Sequence, residues 1–92
     1  MSIFELGEYV MFKNKTSQGL NNACGKNIAK YRKETIPKMS QRMLADKMQL
    51  MGIDIDKNAI QRIECGKRFV TDIELTAFSK VLCKSLEELL AD

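Results

Sequence analysis

From Gly25 onward the apolar residues recur at helical intervals and are broken by short polar connections. In GKNIAKYRKE, Ile28, Ala29 and Tyr31 share one stripe, and Pro37 then forbids continuation and pushes Ile36 out of helix. Ser40 suits the N-cap of a second helix, in which Met43, Leu44, Met48 and Met51 form the inward face. Gly52 can end that helix, and Ile53 to Ile55 read as an extended turn. Asp56 opens a third helix whose inward stripe is Ala59, Ile60 and Ile63, with Gly66 offering a left-handed stop. Thr71 with Glu74, and Ser85 with Glu88, match the capping box at the starts of a fourth and a fifth helix. Leu75, Phe78, Val81, Leu82, Leu86, Leu89 and Leu90 are the remaining core candidates. No alternating run predicts a sheet, so the expectation is an all-α domain of five helices over residues 24–92.

Residues 1–23 stand apart. Ile3, Phe4, Leu6, Tyr9, Val10, Met11 and Phe12 cluster without a helical or strand period, and a polar stretch, Lys13 to Asn22, follows. This segment is expected to be an N-terminal extension, either an arm that packs on the domain or on a second subunit, or a poorly ordered terminus.

Composition narrows the function classes. The chain has 92 residues, enough for one domain, with 45% hydrophobic and 29% charged residues, as in ordinary globular proteins. No run approaches the ~20 apolar residues of a membrane span, and the N-terminus lacks a basic signal-peptide region, so a cytoplasmic location is expected. Cys24, Cys65 and Cys83 are dispersed and odd in number, and histidine is absent, so neither a disulfide framework nor a metal site is expected. Catalysis is disfavoured too, because no acidic pair, glycine-rich phosphate loop or cysteine-centred motif appears. No enzyme activity and no cofactor are expected.

Charge adds a direction. Residues 26–68 hold eleven lysines and arginines against five acids, a balance of +6, whereas residues 69–92 hold two against five, a balance of −3. One end is basic and the other acidic, which suits a domain that points one face at a polyanion. Two short helices joined by a turn can place one of them in a DNA major groove, about 12 Å wide. The outward residues of the third helix are Lys57, Asn58, Gln61 and Arg62. Arg and Lys pair with guanine acceptors, and Asn and Gln bind adenine bidentately, so these four are the candidate base contacts. Ser40 and Gln41 at the start of the second helix, with Lys67 and Arg68 after the third, are the candidate phosphate contacts. The same four outward side chains also suit a plain solvated helix face.

A resemblance weighs on that choice. The stretch Gly25 to Leu90 resembles the phage-repressor type of helix-turn-helix, the XRE family of transcriptional regulators. The residues that carry it are Ile28 and Arg32, then Ser40-Gln41 with Leu44-Ala45, then Ile60-Gln61-Arg62-Ile63-Glu64 with Gly66-Lys67-Arg68. Glu74-Leu75, Leu82, Ser85-Leu86 and Leu89-Leu90 complete the series. The resemblance implies a five-helix lambda-repressor-like DNA-binding domain, with Lys57, Asn58, Gln61 and Arg62 on the recognition helix and Gln41 against a phosphate. It also implies a structural ion pair between Arg32 and Glu64. A repressor binding double-stranded operator DNA as a homodimer follows; the alternative is a protein-interaction module, such as an antitoxin, that uses the same fold on a protein partner. The chain departs from the pattern in four places. The stretch between Ala45 and Ile60 is long, as is the loop ETIPKM. Cys65 stands where a polar residue often helps to bind phosphate, and Cys83 stands at a usual glycine stop. There either the cysteine is left-handed or the turn differs.

Overall fold

A computed structural model of the protein describes residues 15–92, and the apolar cluster from Ile3 to Phe12 lies outside them. Five helices follow in order: α1 Gly25–Glu34, α2 Gln41–Leu50, α3 Lys57–Glu64, α4 Asp72–Leu82 and α5 Leu86–Leu90. Among the described residues there is no strand, and no helix is long and apolar enough to cross a membrane.

Helix starts follow the caps that the sequence provides. The side chains of Ser40, Asp56, Thr71 and Ser85 each accept from the backbone N–H three residues on, and Glu74 and Glu88 return the bond to close two capping boxes. These bonds satisfy donors that the first turn leaves without intrahelical partners. The stops are equally regular. After α2 the N–H of Ile53 reaches Met48 O at 3.0 Å and that of Gly52 reaches Gln49 O at 2.9 Å. After α3 Lys67 reaches Arg62 O and Gly66 reaches Ile63 O, both at 2.9 Å. After α4 Lys84 reaches Ser79 O at 3.1 Å and Cys83 reaches Lys80 O at 3.4 Å. All three are Schellman closures, with Gly52, Gly66 and Cys83 at positive φ. Cys83, at φ 56° and ψ 43°, is therefore left-handed, which decides between the two alternatives for that turn.

The core is Ile28, Leu44, Met48, Ile60, Ile63, Phe78, Leu82 and Leu89, with smaller contributions from Cys24, Met39, Ala45, Ile55 and Ala77. α3 packs on α1 and α2, while α4 crosses α1 and α2 and α5 closes against α1 and α4. Asn27 of α1 holds that closure by donating to the carbonyls of Leu89 and Ala91 at 2.9 and 2.6 Å.

Several expected core residues lie elsewhere. Met43, Met51, Leu86 and Leu90 are each more than two-fifths exposed. Met43 is rotated a step from the buried Leu44, and Met51 stands beyond the last turn of α2. α5 has five residues, and only Leu89 of its three leucines is fully covered. Conversely Ile55, expected in an extended turn, is buried, and the Gln49 carboxamide donates to its carbonyl at 2.9 Å. The long segment after Ala45 is thus divided between a helix running to Leu50 and a linker anchored by Ile55.

Residues 20–22 are bound into the domain. Asn21 and Asn22 hydrogen-bond to residues 63–68, so this end of the N-terminal segment packs on the helices.

Candidate nucleic-acid interface

The candidate surface is built on α3. Asp56 Oδ1 accepts from the Ala59 N–H at 2.8 Å and starts the helix. Ile60 and Ile63 are buried against α1 and α2, and Ala59 is half-buried. Helical geometry then forces Lys57, Asn58, Gln61 and Arg62 outward, and all four are exposed.

Two devices fix the far end of this helix. The first is an ion pair: Arg32 Nε and Nη2 donate to Glu64 Oε2 and Oε1 at 2.6 and 3.0 Å. The third guanidinium nitrogen, Nη1, donates to Met39 O at 2.9 Å. Both side chains of the pair are 7% exposed, so the expected Arg32–Glu64 bond is present and lies out of solvent. The second device is the N-terminal segment. The Asn22 carboxamide donates to Ile63 O at 3.0 Å and to Arg68 O at 2.8 Å, and accepts from the Gly25 N–H at 2.7 Å. The start of α1 thereby meets the end of α3 so closely that a Cβ at Gly25 would overlap the Ile63 carbonyl.

The four candidate phosphate residues have separate fates. Ser40 is exposed, its oxygen accepting the Met43 N–H at 3.0 Å, which leaves its hydroxyl proton free to donate. Gln41 is half-buried, and its Nε2 donates to Glu64 Oε1 at 2.9 Å, so in this structure it serves the buried carboxylate. Arg68 is held in a fork by Glu74, with both nitrogen–oxygen distances at 3.0 Å. The bond to Glu74 raises the pKa of Arg68, and the bond from Arg68 is the largest cause lowering that of Glu74. Lys67 is exposed. Among the described residues neither Lys57, Arg62 nor Lys67 takes part in an ion pair.

Of the three thiols, Cys24 is buried and Cys65 and Cys83 are exposed, and none is in a disulfide. Burial pushes the Cys24 thiol up to about 11. No group of three or more metal-binding side chains assembles among the described residues.

No family model, curated protein or solved structure matches the chain. The functional reading therefore rests on the residues themselves.

Sequence reasoning did not single out Asn21 and Asn22, which sat in a stretch expected to be an extension. One local signal was available. Asparagine is a common helix cap, and Asn22 bonds the first backbone N–H of α1, where the adjoining Cys24 makes no side-chain cap. The bonds to Ile63 and Arg68 span 41 and 46 residues and had no such signal.

Proposed function

We propose that this chain is a cytoplasmic, sequence-specific DNA-binding transcriptional regulator, a repressor that binds operator DNA as a homodimer. One observation carries the reading. The short helix α3 presents Lys57, Asn58, Gln61 and Arg62 to solvent, with its two cations free of ion pairs among the described residues and its far end fixed by Arg32–Glu64 and Asn22. Those side chains supply the donors that read guanine and the carboxamides that read adenine. Ser40 and Lys67 flank the helix as phosphate ligands, and Arg68 joins them only by sharing its guanidinium with Glu74 or leaving it. The fold is all-helical, and the reading gives it the lambda-repressor-like arrangement. It assigns no catalytic residue.

A protein-binding module is the second reading. It is favoured by a groove between the end of α2 and α4, in which Met51, Ile53, Ile73 and Ala77 form an apolar floor beside Thr76 and Lys80. One experiment separates the two: selection of bound sites from a random duplex DNA pool at near-physiological salt. An enriched inverted repeat is expected. Salt-sensitive retention of all sequences alike would reject sequence-specific recognition and favour the protein partner.

A further inference from the structure

The turn after α3, residues 66–68, has every backbone polar group engaged. The Gly66 N–H bonds Ile63 O, and the N–H groups of Lys67 and Arg68 bond Arg62 O, at 2.9, 2.9 and 3.3 Å. On the acceptor side, Gly66 O takes the Asn21 N–H at 2.8 Å and Lys67 O takes the Asn21 carboxamide at 2.9 Å. Arg68 O takes the Asn22 carboxamide at 2.8 Å. The Leu20 side chain lies over Gly66 so closely that a Cβ there would stand 2.8 Å from Leu20 Cδ2. The backbone of the turn is therefore held from both sides, and the Lys67 side chain remains exposed.

We propose that Asn21 and Asn22 are positioning residues for DNA binding, holding the turn so that Lys67 meets a backbone phosphate while α3 lies in the groove. The inference rests on the DNA-binding reading and adds to it a pair of residues outside the five helices. Its physical basis is the weakness of a lone lysine as a ligand: the ammonium is a point charge on a flexible stem. Fixing the backbone beneath it removes part of the freedom that contact with a phosphate would otherwise have to restrain. Lys15 extends the tie, since its Nζ donates to Asn21 Oδ1 at 2.6 Å.

A merely structural role for Asn21 would lower stability and weaken binding regardless of Lys67. A positioning role acts through Lys67, so the two residues must be coupled. The test uses the full chain, the duplex enriched by selection, and binding measured across a salt series for wild type, Asn21→Ala, Lys67→Ala and the double variant. Asn21→Ala is expected to keep the same preferred site and to make the plot of log K against log salt about 0.9 shallower, the loss of one phosphate contact. In the Lys67→Ala background it is expected to change neither slope nor affinity. An equal loss in both backgrounds, or an unchanged slope, would overturn the positioning role and leave DNA binding intact. A wild-type chain that enriches no site overturns both. Asn22→Ala also removes the acceptor of the Gly25 N–H and puts folding itself at risk, so Asn21→Ala is the deciding variant. In the free protein, the Lys67 and Arg68 amides should exchange with solvent faster in Asn21→Ala than in wild type. Unchanged exchange would mean that Asn21 does not hold the turn.

Discussion

Arg32 is 6% exposed, and all three of its nitrogens donate, two to Glu64 and one to Met39 O. An arrangement of this kind is sensitive to loss of one partner, because the remaining charge stays in a poorly hydrated place. Glu64→Ala should therefore destabilise the fold by about 3–5 kcal/mol, a loss readable in thermal or urea melts. An unchanged melting temperature would mean that the pair does not form in solution. The opposite sign is expected at Cys83. A left-handed conformation costs a residue with a Cβ roughly 1–2 kcal/mol, and the exposed thiol gives little in return. Cys83→Gly should thus stabilise by on the order of 1 kcal/mol, after part of the gain is offset by glycine's greater freedom in the unfolded chain. For a domain of this size that is a rise of about 4–8 °C in melting temperature. Cys83→Ala keeps the Cβ and should show no such rise, which separates the backbone effect from loss of the thiol.

At the scale of the element, acid should weaken the helix starts. Glu74 accepts from Arg68 and from the Thr71 N–H, and its carboxyl titrates below the usual range, with the Arg68 bond as the main cause and burial opposing it. Glu88 is shifted the same way by the Ser85 N–H. A carboxyl with a depressed folded-state pKa contributes stability above its unfolded pKa and loses that contribution as the pH falls through the folded value. Melting temperature should accordingly decline below about pH 4, and Glu74→Gln should flatten that decline while lowering stability at neutral pH. A parallel decline in wild type and variant would remove Glu74 from the acid response. These starts were legible in the sequence because a cap is local: Ser40, Asp56, Thr71 and Ser85 each bond three residues ahead. The Arg32–Glu64 bond was legible only by resemblance. What could not be read depends on partners brought close by folding. Asn22 meets Ile63 and Arg68 only after α1 packs on α3, and Arg68 reaches Glu74 only once the turn has closed. The same cause misplaced Met43 and Leu86. Periodicity marks a stripe, but the neighbouring elements decide how much of it is covered.

At the scale of the whole molecule, one α3 offers four outward side chains, enough to read only a few base pairs, so the proposed operator recognition requires two copies on one duplex. Two recognition helices on the same DNA face must be separated by about one helical turn, roughly 34–36 Å or 10–10.5 base pairs, or by a multiple of it. The phase matters more than the length. Inserting about 5 base pairs between the half-sites of the selected repeat rotates one half-site to the opposite face, where a paired second copy cannot reach it without distorting the DNA. Binding should then fall to the level of a single half-site, and insertion of about 10 base pairs should restore the face, though not the original distance. Retardation assays on the three duplexes read this directly. Equal affinity on all three would show that the copies bind independently, which removes the homodimer while leaving single-site recognition by α3 in place. The charge division predicts a companion result on the same duplexes. The cations are concentrated in residues 26–68, at a balance of +6, so two engaged copies should give a steeper dependence on salt than one. The duplex with the half-turn insertion should lose slope together with affinity.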